Sequence, residues 1–436
     1  MKRSRYVVKT DSYDGQAHIY YNLRNGLGLK VKKEWAPSFT ELAEIPALQK
    51  TLHQYGFVQQ EGEEEAVLEQ YTSARARDPL HLVIMPHQNC NFRCVYCYEA
   101  FDKNKMDPQV EAALVKMAEE RLKSGTHKVF SVSWFGGEPL LAPDVIERLS
   151  VQFREIADRY GVTYVAGITT NGYLLDDDTI DMLLRNKVTS FQISVDGLPE
   201  HHDKQRVRVG GQPTYDKIIE NLQKLGRRSE EFRAIVRMNV GPENLPTAED
   251  HILQIKKLLG TDPRYWLYFH NIGKWGGPND EQMDVCSENV MVKLTSMAMD
   301  HGMGTTKADI WMGTNSVCYA ASPSSFVIGV DGMLYKCTIA LYDERNHVGQ
   351  LNPDGSLSLH NERMALWTDG GSNDSTCRSC FYSPVCQGDS CPLIRLDQNR
   401  RPCPSLKTQV RDVVTLMDRQ GKRFVEIMPE TESTPC

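Results

Sequence analysis

The chain has 436 residues, 40% hydrophobic and 25% charged, which is the composition of a globular protein long enough for two or three domains. Its formal net charge of −7 argues against nucleic-acid binding, which usually requires a basic excess. It contains neither an apolar run of about 18 residues nor an apolar signal segment after the basic N-terminus, so we expect a cytoplasmic protein that does not enter a membrane.

Twelve cysteines stand out against this ordinary composition. Thiols in the cytoplasm stay reduced, so clustered cysteines there more often bind metal or catalyse than form disulfides. Ten of the twelve fall into two groups, at positions 90–97 and 318–403. Metal binding is therefore the leading interpretation of both groups.

Residues 1–75 carry no recognisable catalytic motif. The alternation in "HIYYNLRNGLGLKV" predicts a hairpin, and "SFTELAEIPALQKTLHQYGFV" predicts one or two short helices that end near Gly56. This order is typical of a small α+β domain of the winged-helix kind. The acidic run "EGEEEAVLEQY" predicts a solvated helix that connects this domain to the rest of the chain.

From residue 76 to about 305, apolar strands alternate with helical patterns. Six strands are predicted, at "HLVIMPH", "VFSVSWFG", "YVAGITTN", "SFQISVDG", "FRAIVRMNV" and "YWLYFHNI". The alternation predicts a parallel sheet of an α/β protein, either a barrel with six of the usual eight strands or an open doubly wound sheet. In both architectures the active site lies at the carboxyl ends of the strands.

Polar and glycine-rich fragments follow consecutive strands at that end. The loop "CNFRCVYCYE" follows the first strand, "WFGGEP" ends the second, "TTNG" the third and "SVDG" the fourth. Each fragment alone is a common turn, but their coincidence predicts a ligand site. Three thiolates on one short loop can ligate three irons of a [4Fe–4S] cluster and leave the fourth iron open. Zinc with a distant fourth ligand is the alternative, although zinc sites usually pair cysteines from two knuckles.

The spacing Cys90-x3-Cys94-x2-Cys97, with Tyr96 before the last cysteine, resembles the motif of radical S-adenosylmethionine (SAM) enzymes. The resemblance implies a partial (β/α)6 TIM-type barrel in which the open iron binds the amino and carboxylate groups of SAM. Electron transfer from the cluster would cleave SAM into methionine and a 5′-deoxyadenosyl radical that abstracts hydrogen. The cofactor, and not a side chain, would then perform the difficult chemistry.

The other strand ends match the same family. "GGEP" resembles the element that lines the methionine amino group of SAM. Ser194 and Arg206 resemble the ribose and carboxylate contacts of the sulfatase-maturase branch, and an arginine can pair with a carboxylate through two hydrogen bonds. Tyr96 near the adenine could equally be loop packing, and Asn171 could be a turn residue. The SAM contacts implied by the resemblance are Tyr96, Gly136, Gly137, Glu138, Asn171, Ser194 and Arg206.

Residues 306–436 contain the second cysteine group, with the spacing Cys318-x13-Gly332-x4-Cys337, Cys377-x2-Cys380-x5-Cys386-x4-Cys391 and then Cys403. This order resembles the SPASM domain, an extension with two auxiliary [4Fe–4S] clusters, although that family has x3 before the position of Cys391. The resemblance implies one cluster on Cys377, Cys380, Cys386 and Cys403, and another on Cys318, Cys337 and Cys391. The whole chain would thus hold three [4Fe–4S] clusters. A zinc ribbon in "CRSCFYSPVC" is the alternative.

Seven cysteines fall one short of the eight thiolates that two complete clusters need. Cys286, in a stretch with a helical pattern, and Cys436 lie outside the motif and are expected to be idle thiols. We therefore expect an open or non-cysteine site on the three-cysteine cluster, which a substrate thiolate could occupy. Gly332 in "GVDGMLYKC" predicts the tight turn of a hairpin that delivers Cys337.

The family resemblance implies a peptide-modifying enzyme. The favoured hypothesis is a maturase that forms a thioether or carbon–carbon cross-link in a ribosomally made precursor peptide, with flavodoxin or ferredoxin as reducing partner. A sulfatase-type maturase that makes formylglycine is the alternative, but there an aspartate base follows the cysteine equivalent to Cys337, and here Thr338 stands in its place. Asp343 or Glu344 could substitute for it. A non-catalytic iron–sulfur electron carrier is the third hypothesis.

The N-terminal residues fit peptide maturation as well. Peptide maturases often carry a small domain there whose edge strand pairs with the leader peptide. "IYYNLRNGLGLKV" could supply that edge, or the domain could be a packing extension. The expected domains are therefore 1–75 for leader recognition, 76–305 for the radical SAM barrel and 306–436 for the SPASM domain.

Overall fold

The structure is a computed structural model that describes residues 2–36, 38–58, 79–286, 290–312, 317–371 and 374–427. It divides into two compact units. The first comprises residues 1–74, 307–321 and 369–436, and the second comprises residues 75–306 and 322–368. The predicted acidic linker helix and Cys436 lie outside the described residues. In the part of the chain that the structure describes, no helix is long and apolar enough to cross a membrane.

The strands, in chain order, are β1 (Val7–Asp11), β2 (Ala17–Asn22), β3 (Gly28–Lys32), β4 (Leu80–His87), β5 (Phe92–Cys94), β6 (Val129–Gly136), β7 (Thr163–Thr170), β8 (Val188–Ser194), β9 (Arg206–Arg208), β10 (Arg233–Val240), β11 (Tyr265–Asn271), β12 (Ser325–Ile328), β13 (Met333–Tyr335), β14 (His347–Leu351), β15 (Leu357–Leu359) and β16 (Val425–Ile427). The helices are α1 (Phe39–Glu44), α2 (Pro46–Gln54), α3 (Pro108–Lys123), α4 (Pro143–Arg159), α5 (Asp177–Arg185), α6 (Pro199–Gln205), α7 (Tyr215–Gly226), α8 (Ala248–Leu259), α9 (Met291–Asp300), α10 (Asn361–Thr368), α11 (Ser375–Arg378), α12 (Ser383–Cys386), α13 (Pro392–Gln398) and α14 (Val410–Arg419).

The first unit contains a four-stranded sheet in the order β1-β2-β3-β16. The antiparallel pairing of β2 with β3 confirms the predicted hairpin, and α1 and α2 confirm the predicted short helices. α1 begins after Ser38, whose side chain accepts a hydrogen bond from the backbone of Glu41 while the Glu41 carboxylate accepts one from the backbone of Ser38. Tyr20, Leu42 and Phe57 lie in the apolar core that joins sheet and helices.

The β2–β3 hairpin lies inside its sheet. β2 is flanked by β1 and β3, and the outer side of β3 pairs in parallel with β16 from the other end of the chain. Phe424, just before β16, packs so closely on Gly28 that a Cβ there would lie 2.2 Å from its ring. The expectation that this hairpin offers a free edge is therefore wrong, because the chain's own C-terminal strand covers it.

The second unit contains a ten-stranded sheet in the order β11-β10-β8-β7-β6-β4-β12-β13-β14-β15. The six strands from β11 to β4 are parallel neighbours, which confirms the six predicted strands. β12 pairs with β4 and begins an antiparallel meander, with Gly332 (φ +79°) in the predicted turn before β13. Among the described residues β11 and β4 do not pair, so the six strands form a partial barrel.

The parallel strands bury alternate residues. On β6, Phe130 and Trp134 are fully buried, and the ring of Phe130 lies 5.2 Å from that of Phe153 on α4. Ser131 and Ser133 point to the opposite face and are partly exposed. This opposite face of the six strands, which we call the inner face, therefore remains accessible.

Phe153→Ala should lower the free energy of unfolding by about 3–5 kcal/mol, because the ring is fully buried and its removal leaves a cavity between helix and sheet. Val151→Ala on the same helix is the matched control, since Val151 is 39% exposed, and its effect should stay within about 0.5 kcal/mol. Urea unfolding of the metal-free protein measures both. Equal effects of the two changes would contradict this packing.

Candidate functional site

The three cysteines of the first loop meet at the carboxyl ends of the parallel strands. They border a cavity of about 160 Å³. Of the other residues expected at the site, those that line this cavity are Tyr96, Gly136, Gly137, Asn171, Ser194 and Arg206. The structure therefore brings together residues that the sequence spreads over four strand ends.

Two glycines allow the loop after β6 to lie against the segment that leads into Cys90. Gly136 has φ +118°, and a Cβ there would lie 2.4 Å from the carbonyl oxygen of His87. A Cβ on Gly137 would lie 2.4 Å from the carbonyl oxygen of Asn89. Any larger residue would push these backbones apart, so both positions require glycine.

Glu138 is fully buried behind this loop. Its carboxylate accepts hydrogen bonds from the Thr170 hydroxyl at 2.7 Å, the Asn171 amide at 2.8 Å and the Leu140 amide at 2.9 Å. Burial raises the pKa of Glu138, and these three hydrogen bonds oppose the shift. Its side chain does not line the cavity among the described residues, and it joins the loop after β6 to the loop after β7 instead.

A short ribbon places Arg206 beside the cysteine loop. β5 pairs antiparallel with β9, and Cys94 lies directly opposite Arg206. The buried guanidinium donates a hydrogen bond to the Tyr96 hydroxyl at 2.6 Å and lies 3.7 Å from the carboxylate of Asp196. The Arg206 side chain is thus held by Tyr96 of the cysteine loop and by Asp196, which follows β8.

Tyr96 belongs to a buried polar network that sequence reasoning missed. Its hydroxyl donates to Asp196 and accepts a hydrogen bond from Asn239 at 3.1 Å. Asn239 also donates its backbone and side-chain N–H groups to Asp196, at 2.8 and 3.0 Å. Burial raises the pKa of Tyr96, so the phenol stays protonated and acts as a donor. Asn239 is the penultimate residue of β10, so the strand-end rule could have identified it.

Asn171 connects the cysteine loop to β7. Its side-chain N–H group donates to Asn91 at 2.7 Å and lies 3.8 Å from the sulfur of Cys90. Its carbonyl oxygen accepts from the amide of Tyr173 at 2.9 Å. Asn171 therefore acts as a turn residue and also contacts a cysteine sulfur.

The three thiols suit a cluster better than a single ion. Burial raises the pKa of Cys90, Cys94 and Cys97, so a bound metal would have to displace their protons. Nowhere in the described ranges do three His, Cys, Asp or Glu side chains surround one ion position. A cluster of four irons is bulkier than one ion, so its thiolates need to border a cavity, as these three do.

A second cysteine cavity lies in the first unit. It measures about 650 Å³ and is lined by Cys377, Cys380, Cys386 and Cys403, the four thiols that the SPASM resemblance groups together. Arg5, Arg401 and Lys407 also line it, and cations favour the anionic thiolates that ligate iron.

The remaining cysteines do not line this cavity. Cys391 directly precedes α13, and the amide of Cys318 donates to the carbonyl of Asp389 at 3.0 Å, both in the first unit. Cys337 is buried in the second unit, where its amide donates to the side chain of Asn346 at 2.9 Å. Cys286 lies before α9 in an irregular segment and not in a helix.

Comparison with known proteins gives one family match. Residues 84–255 match the model of the radical SAM superfamily. The cysteine-type anaerobic sulfatase-maturating enzyme of Clostridium novyi (strain NT) is 24% identical over 332 residues, which cover 71% of this chain and 87% of that enzyme. The matched residues run from β4 to α8 of the barrel described above, so this part of the chain is similar to a radical SAM domain.

Two solved structures share the fold. The structure of anSMEcpe with bound AdoMet has a TM-score of 0.59 and 19% identity, and the match covers 78% of this chain and 94% of that chain. The structure of Streptococcus suis SuiB bound to S-adenosylmethionine has a TM-score of 0.50 and 14% identity, with 91% and 97% covered.

Asp196→Asn should lower the free energy of unfolding by about 3 kcal/mol, because it leaves the buried guanidinium of Arg206 without its nearby negative charge. Asp284→Asn is the matched control, since Asp284 is exposed and should change stability by less than about 0.5 kcal/mol. Urea unfolding of the metal-free protein gives both values. An Asp196 variant as stable as the Asp284 variant would show that the network does not balance this charge.

Proposed function

We propose that this chain, whose residues 84–255 match the radical SAM superfamily, is a radical SAM enzyme that forms a thioether or carbon–carbon cross-link in a ribosomally made precursor peptide. The observation that carries the proposal is the cavity that Cys90, Cys94 and Cys97 share with the loop after β6 and with Arg206. A [4Fe–4S] cluster held there by the three thiolates, together with SAM, would supply the radical chemistry that removes a hydrogen atom from the substrate.

The protein's own residues bind and orient these groups. The three thiolates would hold three irons, and Ser194 and Asn171 would offer polar contacts to SAM. The buried Nε of Arg206 has no hydrogen-bond partner within the described residues, which supports a carboxylate as its ligand. Tyr96 would act through Arg206, since its hydroxyl accepts a hydrogen bond from the guanidinium.

Formylglycine formation is the second candidate, because the similarity to a sulfatase-maturating enzyme favours it. That reaction needs a base where this chain has Thr338. Asp343 is paired with Arg345 through two hydrogen bonds of 3.0 Å, which lower the pKa of its carboxyl, and Glu344 is exposed. Neither carboxylate is a buried, unpaired base, and this supports the cross-linking proposal.

We assign the second cysteine group to two auxiliary clusters. Cys377, Cys380, Cys386 and Cys403 would hold a complete cluster, for which their shared cavity is the support. Cys318, Cys337 and Cys391 would hold another with one open site for a substrate thiolate. Flavodoxin or ferredoxin would supply electrons in the cytoplasm.

We further propose that the N-terminal domain binds the leader of the precursor peptide. Pairing of an added strand with the sheet would use β1, since β16 occupies the outer side of β3 and β1 is the terminal strand among the described residues. The backbone of Val7–Asp11 would then supply the hydrogen bonds to the leader.

Cys94→Ala should abolish formation of 5′-deoxyadenosine from SAM and dithionite, because the first cluster loses a ligand. Iron in the reconstituted protein should fall from about twelve to about eight per chain. Cys286→Ala is the matched control and should retain both activity and iron. Continued 5′-deoxyadenosine formation by the Cys94 variant would refute the assignment of the first cluster.

Cys391→Ala should retain the formation of 5′-deoxyadenosine without peptide but lose the modified peptide, because the first cluster stays intact and an auxiliary one does not. Mass spectrometry of the precursor peptide measures the product, and liquid chromatography measures the nucleoside. Full product formation by this variant, or about four irons in the wild-type protein, would remove the auxiliary clusters from the proposal.

A further inference from the structure

We propose that the inner face of β10 and β11 binds a carboxylate of the peptide substrate, with Arg237 at the centre of the site. The proposal rests on the proposed function in one respect, since it takes the substrate to be a peptide. It adds a substrate class, namely peptides with an acidic residue near the position that reacts.

The register of the sheet places Arg237 next to the cysteine cavity. Arg237 lies directly opposite Ser194 of β8 on one side and opposite Tyr268 of β11 on the other. Residues in register on neighbouring strands point to the same face, about 4.8 Å apart. Ser194 lines the cavity of the three cysteines, so Arg237 is one strand away from its wall.

Arg237 carries a positive charge for which the described residues supply no counter-ion. The side chain is half-buried, and its Nε donates to the side-chain oxygen of Asn239 at 2.8 Å. Within the described residues it forms no ion pair with a carboxylate. A partly buried guanidinium without a negative partner is costly, and a bound carboxylate would offset that cost through two charge-assisted hydrogen bonds.

The surrounding strands offer nothing else to neutralise this charge. The chain has 57 acidic residues, yet β4, β6, β7, β8, β10 and β11 contain neither aspartate nor glutamate. Glu138 and Asp196, two acidic residues just beyond the ends of β6 and β8, are buried and already accept several hydrogen bonds. Arg233 adds a second cation on the same face, 4.0 Å from the ring of Trp266.

The neighbour of Asn239 on β11 adds a polar group without adding charge. His270 lies opposite Asn239, and its buried Nδ1 has no hydrogen-bond partner in the described part of the chain. Burial and the nearby Arg237 lower the pKa of His270 to about 4, so the imidazole is neutral at pH 7. A peptide carboxylate at Arg237 would therefore meet one strong cation and a neutral imidazole.

Binding of two labelled peptides tests the site. The probes are a fluorescein-labelled octapeptide of alanine and serine with one central glutamate, and the same peptide with glutamine. Fluorescence anisotropy with the reconstituted wild-type enzyme and SAM at low salt should show about tenfold tighter binding of the glutamate peptide. Arg237→Gln should bind both peptides equally. Arg227→Gln, at an exposed position after α7, is the matched control and should keep the preference.

Three outcomes would overturn the proposal. The first is equal or undetectable binding of both peptides by the wild type, and the second is an unchanged preference in Arg237→Gln. Arg237→Lys, which keeps the charge, should retain most of the preference and shows whether a loss in Arg237→Gln comes from a folding defect.

The third outcome concerns SAM, which also carries a carboxylate and could be the ligand of Arg237. Calorimetric titration of SAM into Arg237→Gln tests this. Affinity within twofold of wild type is expected, and a tenfold loss would assign Arg237 to SAM.

The proposed function and the carboxylate site can be refuted independently of each other. If the wild-type enzyme made no 5′-deoxyadenosine, the proposed function would fall while the glutamate preference could still be measured. If the nucleoside forms and the preference is absent, the carboxylate site alone is refuted.

Discussion

The pairing of β5 with β9 is the constraint on which the site depends. It sets Cys94 opposite Arg206 and brings a permanent positive charge next to a loop of three partly buried thiols. That charge requires a buried carboxylate, which Asp196 provides, and Tyr96 and Asn239 fix the carboxylate in turn. Cysteine loop, β8 and β10 are thereby joined in one network.

The second constraint is close backbone approach on the other side of the same loop. Gly136 and Gly137 let the loop after β6 touch the segment before Cys90, and Glu138 ties that loop to β7. The cysteine loop is therefore contacted on one side by the backbone of Gly136 and Gly137 and on the other by β9, which carries Arg206. The loop from Cys90 to Cys97 has only eight residues. Contacts from both sides therefore help to hold its three thiolates in place for a cofactor.

Local patterns in the sequence predicted much of this arrangement. Apolar strands alternating with helices gave the order of the barrel, and cysteine spacing with the strand-end fragments gave the lining of the cavity. The fragment "SVDG" does not reveal the role of Asp196, because its partners Tyr96 and Asn239 are distant in sequence. The covering of β3 by β16 was missed for the same reason: strand pairing between the two ends of a chain leaves no local pattern.

The most direct test of this account is whether SAM binds an iron of the cluster at the first cysteine loop. Electron–nuclear double resonance on the reduced enzyme, with ¹⁷O in the carboxylate of SAM, detects such a bond. A variant with alanine at Cys377, Cys380 and Cys386 lacks most ligands of one auxiliary cluster, and a clear ¹⁷O coupling is expected in it. Absence of the coupling, or zinc in place of iron at the loop, would contradict it.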